Sequence, residues 1–200
     1  MNKNPIHWNY PGARWWKFDF HNHTPASTDY GKGADHARLR QITPEDWLLG
    51  YMRAEVDCVA VTDHNSAEWI DRLQVALKAL EAEGHSDFRP MHLFPGVEIT
   101  ANGGVHVLAI LDSDKTAGDV SKLLGAVVYR GAAGASDMAA DCSPIQVVEA
   151  IATFNGIAVL AHVDGPGMMD VELGENLEID GLVKTAEVYA KVAMEVCGVA

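Results

Sequence analysis

Phe18-Asp19-Phe20-His21-Asn22-His23-Thr24 reads as a short buried strand that runs out into two histidines. Successive strand side chains alternate between faces, so His21 and His23 point the same way and can close on one metal ion. Two histidines two apart are ordinary polar residues in most strands. The pair gains weight because the chain repeats the arrangement, with apolar runs ending beside a His, an Asp or a Glu.

The second such run, Val56-Asp57-Cys58-Val59-Ala60-Val61-Thr62, is almost continuously apolar and ends in Asp63-His64-Asn65. That pattern suits a parallel strand covered on both faces. A third strand is expected from Met91 to Phe94, continuing through Pro95-Gly96-Val97-Glu98-Ile99. Gly103-Gly104 then turns the chain into a fourth strand, Val105 to Leu111, with His106 near its start. The fifth, Ile157 to Ala161, ends in His162, and a sixth apolar run spans Ala193 to Val199.

Helical signals lie between these runs. Thr43-Pro44-Glu45 is an N-cap, a proline at the first helical position and a first-turn acid, followed by an apolar face of Trp47, Leu48, Tyr51 and Met52. Ser66 is expected to cap a helix running to about Glu83, with Ile70, Leu73, Leu77 and Leu80 as its stripe and Gly84 as its end. Further helices are expected over roughly Ala117 to Val128, from Ser143-Pro144 to a stop at Gly156, and from Leu182 to about Lys191. Gly131 to Asp141 reads as a mobile loop. Residues 1–16, with Trp8, Trp15 and Trp16, read as an irregular arm packing aromatics against the body.

Strand, loop and helix alternating in this way predict an α/β fold of parallel strands with helical crossovers. In barrels of that kind chemistry sits where strands end and loops begin. His21, His23, His64, Glu98 and His162 all fall near such ends. Imidazole nitrogen with carboxylate oxygen suits Zn, Mn or Fe, and several such groups converging suit a cluster of two or three ions. Glu98, after Pro95-Gly96, is the natural carboxylate to bridge adjacent ions.

The 200 residues suit a single domain, and an apolar fraction of 48% is enough for a core. A net charge of −13 argues against a domain that grips nucleic acid through a basic face. It is compatible with a small phosphorylated substrate, because bound divalent cations reverse the field locally. Cys58, Cys142 and Cys197 are far apart, as expected of reduced thiols in a cytoplasmic protein. No secretory signal is expected in Met1 to Lys17, and no apolar run approaches a membrane span. His7, His36, His85 and His92 match no motif, and Lys32 and Arg130 read as solvated surface cations.

The chain resembles the PHP (polymerase and histidinol phosphatase) domain family. The matching pieces are Asp19-Phe20-His21-Asn22-His23-Thr24 with Asp29, Val61-Thr62-Asp63-His64, Pro95-Gly96-Val97-Glu98 with Val105-His106-Val107-Leu108, and Ala161-His162. These four ordered motifs cover most of residues 16–164. The resemblance implies a distorted (β/α)7, TIM-like barrel that holds up to three divalent ions (Mn, Zn or Fe) and hydrolyses phosphate esters. It makes His21, His23, Asp29, His64, Glu98, His106 and His162 metal ligands, with catalysis centred on His64 and Glu98. Asp19 and Asp63 would orient histidines from behind. Only the resemblance makes His106 a ligand, since its place at a strand start lies opposite the expected active end.

Gly12-Ala13-Arg14-Trp15-Trp16 through Thr24-Pro25-Ala26-Ser27 further resembles PHP domains fused to a large ATPase region. Family members close the site with an Asp-x-His pair that this sequence does not supply, so the expected barrel is incomplete at its C-terminus. Two main functions follow. One is a phosphoesterase acting on a phosphorylated metabolite, a nucleotide or a nucleic-acid end through metal-activated water. The other is a truncated, non-catalytic metal-binding module that serves as scaffold or regulatory domain for an ATPase partner. A metal-dependent C–N hydrolase on a related barrel is a third class.

Overall fold

Cys58-Val59-Ala60-Val61 is a run of four buried residues, three of them short or β-branched, and it forms a strand near the middle of the sheet. The computed structural model describes residues 15–31 and 36–162. The strands are β1 (Phe18–Asp19), β2 (Cys58–Val61), β3 (His92–Thr100), β4 (His106–Ile110) and β5 (Ile157–Leu160). The helices are α1 (His36–Leu39), α2 (Pro44–Arg53), α3 (Ile70–Glu83), α4 (Ala117–Ala126) and α5 (Pro144–Thr153). His7, Trp8, Lys32, Cys197, the helix expected from Leu182 to Lys191 and the apolar run Ala193 to Val199 lie outside the described residues.

The strands form one curled sheet in the order β1-β2-β3-β4-β5, a half-barrel among the described residues. β1, β2 and β3 are parallel, in register at Phe18↔Cys58 and Cys58↔His92. The expectation of parallel strands throughout fails at β4, which runs antiparallel to both β3 (Thr100↔His106) and β5 (Val107↔Leu160). The reason is local. Between β3 and β4 there is no crossover helix, only a turn in which Gly103 and Gly104 take φ of +90° and +81° and Ala101 N–H donates to Val105 O at 2.8 Å. A turn that short can only send the chain back alongside itself. β4 therefore starts at the end of the sheet where β3 finishes, and that puts His106 at the same end as the other expected ligands.

Register sorts the strand residues into two faces. Val59, Val61, Leu93, Val97, Ile99 and Val107 share one face and belong to one core with Leu48, Met52, Leu73, Leu123 and Ile151 of the helices. The other face carries Phe94, Glu98 and His106.

Local signals place most helix ends. Thr43 accepts from Asp46 N–H at 3.1 Å with Pro44 behind it, and Ser143 and Gln146 cap each other reciprocally at the start of α5. Gly84 closes α3 with φ +63°. Ser66 does not cap α3, which begins four residues later. Its hydroxyl accepts from Glu68 N–H at 3.3 Å in the preceding turn instead. The left-handed residue beyond α5 is Asn155 (φ 55°) rather than Gly156. Trp15 is fully exposed rather than packed, whereas Trp16 tilts against the His92 ring at 5.8 Å.

The segment 131–141 is anchored rather than mobile. Ala140 N–H donates to Thr100 O (2.7 Å), Gly134 O accepts from Thr28 N–H (2.8 Å), and Asn65 Nδ2 donates to Ala135 O (2.9 Å). These three partners come from distant parts of the chain, which composition does not reveal.

Candidate metal centre

Glu98 lies near the end of β3 with its side chain at zero exposure. Its two carboxylate oxygens are ringed by five imidazoles. Oε2 has His64 Nδ1 at 3.1 Å, His21 Nε2 at 3.2 Å and His23 Nε2 at 3.4 Å. Oε1 has His106 Nδ1 at 2.7 Å and His162 Nε2 at 3.3 Å. Beyond His64, Asp29 Oδ2 stands 3.4 Å from Nε2 of the same ring. The structure thus gathers all seven residues expected as ligands, with Glu98 as the hub.

Each comes from the same end of the sheet. His21 and His23 follow β1, His64 follows β2 and pairs with Glu98 as an isolated bridge, His106 opens β4, and His162 follows β5 with φ 56°. Two triads keep their ligand atoms within 4.8 Å of one another: His21, Glu98 and His162, and His23, His64 and Glu98.

Hydrogen bonding alone does not account for this packing. A carboxylate offers about four lone-pair sites, and five ring nitrogens face this one. His64 Nδ1 is buried and makes no hydrogen bond although Oε2 is 3.1 Å away. A buried polar atom left so is rare. Cations lying between the nitrogens and the carboxylate would satisfy both, and nitrogen with carboxylate oxygen is a donor set that divalent metals take.

Burial, and then the neighbouring His64, push His23 down to about 4. Burial likewise holds His64 below its ordinary value. His21 is raised, chiefly by its hydrogen bond to Glu98. For Glu98 burial acts upward, but hydrogen bonds from His106 and His21 and the charge of His64 and His21 outweigh it and hold the carboxyl well below the usual range. The signs fix a pH dependence for the metal-free protein. Below about 6.5 the unfolded chain protonates its histidines, while His23 and His64 resist protonation in the native state. Their contribution therefore falls as pH falls. His21 works the other way, its contribution being complete below about 6.5 and lost as pH rises through its raised value. Glu98 joins the first pair only toward its own acid range. Asp63, raised to about 6, opposes them too, but gains only as pH falls through that value. His23, with the largest shift of the three histidines, loses over the whole range below about 6.5. The chain in chelator should therefore show a lower urea midpoint at pH 5 than at pH 7. An equal or higher midpoint at pH 5 would contradict these assignments.

The residues behind the histidines differ from expectation. Asp19 orients no imidazole: Oδ2 accepts from Tyr51 OH (2.9 Å) and Oδ1 from His21 backbone N–H (3.2 Å). Asp63 acts at one remove. It accepts from Thr24 N–H (2.7 Å), Thr24 Oγ1 (2.6 Å) and Ser27 Oγ (2.7 Å), and Ser27 in turn touches His23 Nδ1 (3.3 Å). Burial pushes the Asp63 carboxyl up to about 6. Sequence reasoning missed Thr24, Ser27 and Trp47, whose Nε1 donates to His23 O at 3.3 Å. Thr24 and Ser27 read as ordinary loop residues, and only their closeness to the histidine pair hinted otherwise.

Other candidates stand apart. His36 and His85 are exposed, and His92 packs against Trp16 and Phe94. The Arg130 side chain is 79% exposed and meets Asp141 at 3.5 Å on the surface.

No protein-family model matches the chain, and no curated protein matches it. Among solved structures it is similar to a Bifidobacterium adolescentis protein described as a presumed metal-dependent phosphoesterase. The TM-score is 0.52 at 16% identity, over 85% of this chain and 74% of that one. A second likeness is to an amidohydrolase from Chromobacterium violaceum solved with bound sulfate and no metal, with TM-score 0.46 at 16% identity, over 86% and 74% of the two chains. At that identity the first likeness shows a shared fold.

Proposed function

We propose that this chain is a metal-dependent phosphoesterase of the PHP type. The observation that carries the proposal is the fully buried Glu98 carboxylate with five imidazole nitrogens within 3.4 Å. The four sequence motifs and the fold shared with the Bifidobacterium protein support the same reading.

His21 and His162 would hold one divalent ion with Glu98, and His23 and His64 a second, with Glu98 common to both. Ions of Mn, Zn or Fe held there lower the pKa of a bound water and neutralise charge on a phosphate ester. The chain's own residues set the conditions. Glu98 stays ionised because the imidazoles around it outweigh its burial. His23 stays neutral near pH 7, so its lone pair is available. His162 is the most exposed of the five side chains, at 53%. Beside His23 and Asp29 opens a cavity of about 700 Å³ walled by Tyr30, Trp47 and Tyr51. That space suits the organic part of a small phosphorylated metabolite or a nucleotide.

The test is metal content by elemental analysis on protein purified without chelator, followed by phosphate release from a panel of phosphate monoesters. Two or three equivalents of metal, and turnover that chelator abolishes and added Mn or Zn restores, are expected. Stoichiometric metal with ammonia release from amides but no phosphate release would overturn the phosphoesterase assignment. Absence of metal would overturn the centre itself.

A further inference from the structure

We infer that Ser27 is a positioning residue that fixes the tautomer of His23, so that Nε2 faces Glu98 with a free lone pair. The inference builds on the metal centre proposed above.

Its basis is the capacity of one hydroxyl. Ser27 is fully buried, and its Oγ has three partners: Asp63 Oδ1 at 2.7 Å, His64 backbone N–H at 3.0 Å and His23 Nδ1 at 3.3 Å. A hydroxyl carries one proton and two lone pairs. The His64 amide can only donate, so it takes one lone pair. The proton then goes to Asp63 or to His23. The Asp63 contact is the shorter, and hydrogen bonds to an ionised acceptor are the stronger kind. Asp63 Oδ1 takes Thr24 N–H (2.7 Å) on one lone pair, and its other is left for Ser27, because the Thr24 hydroxyl gives its proton to Oδ2 and accepts from Ala26 N–H. With its proton on Asp63, Ser27 has one lone pair left, and only a protonated Nδ1 satisfies it. His23 must then be the Nδ1–H form, and its Nε2, which lies 3.4 Å from Glu98 Oε2, carries the lone pair.

The same oxygen holds the backbone of His64. One side chain therefore registers the loop after β1 against the end of β2 and sets two ligands of one triad together. In metal sites the group behind a ligating histidine fixes its tautomer, and its loss weakens metal binding about 10- to 100-fold.

The experiment is long-range ¹H–¹⁵N NMR of the histidine rings of the full chain, first in chelator and then with zinc, alongside zinc titration of wild type, Ser27→Ala and Ser27→Thr. His23 is expected as Nδ1–H without metal, and bound through Nε2 with it. Ser27→Ala should bind zinc about 10- to 100-fold more weakly and populate the Nε2–H form of His23. Ser27→Thr, which keeps the hydroxyl, should restore the wild-type tautomer. A wild-type His23 found as Nε2–H in chelator, or bound to zinc through Nδ1, overturns the inference whatever the variants do. So does Ser27→Ala with unchanged zinc affinity and an unchanged His23 tautomer. If wild type binds no zinc, the metal proposal fails, while the ring spectrum in chelator still decides the role of Ser27.

Discussion

Replacing Glu98 by Gln should empty the centre and abolish turnover while leaving a folded chain. Gln keeps the shape of the side chain but loses the charge, and one of its two acceptor sites becomes a donor. Both triads share this residue, so neither survives its loss intact. Zinc affinity should fall by more than the roughly 100-fold that loss of an outer partner produces. Phosphate release should fall by about 10³-fold or more, because among the described residues the one other carboxylate at the rings, Asp29, meets His64 alone. The new amide N–H₂ would face His21 Nε2, which now hydrogen-bonds the carboxylate as a donor, a mismatch worth about 1–3 kcal/mol of stability in the metal-free chain. Elemental analysis and urea unfolding of the variant check both parts. A variant that retains two equivalents of metal would remove Glu98 from the centre.

Replacing Gly96 by Ala should be strongly destabilising although it touches no ligand. Gly96 sits two residues before Glu98, between β2 and β4. A Cβ there would lie 2.5 Å from Ala109 O and 3.0 Å from Val61 O, both backbone atoms of neighbouring strands. Neither can step aside without opening the ladder, including the Leu111 N–H to Pro95 O bond at 2.8 Å. The expected loss is about 3 kcal/mol or somewhat more, a fall in Tm of roughly 6–12 °C for a chain of this size. Metal content should fall with it, because β3 carries Glu98. Gly50 is the control. It is exposed on α2, and a methyl group added there would meet nothing within 4 Å. Gly50→Ala should leave stability unchanged or raise it by about 1 kcal/mol. Equal Tm for the two variants would show that the close approach at Gly96 carries no strain.

The centre was more legible in the sequence than the topology. His21, His23, His64, Glu98 and His162 share one signal, an apolar run followed by a ligand, and that signal survives because side-chain alternation and strand ends are local properties. His106 could be reached only through resemblance. Its placement depends on strand direction, and a glycine pair between two apolar runs is compatible with more than one path until the pairing is known. Ser66 illustrates competition within one segment: it has the chemistry of a helix cap, but the chain spends four residues on a turn beneath the site before α3 begins. The segment 131–141 has the composition of a free loop, and what holds it are carbonyl and amide partners up to 106 residues away. Asp63 was expected to orient a histidine directly, and its actual partners were not legible, because Thr24 and Ser27 meet it across 39 and 36 residues of chain.

The antiparallel turn into β4 also bears on the order of assembly. Glu98 and His106 are 8 residues apart, whereas His21 and Glu98 are 77 apart. The entropy of closing a loop grows as about (3/2)RT ln n, so the shorter closure is favoured by about 2 kcal/mol. Of the contacts to Glu98, the one from His106 to Oε1 is thus the least costly in chain entropy, since the hairpin alone supplies it. His21 and His23 from one end of the described chain and His162 from the other must close much longer loops to reach the same carboxylate.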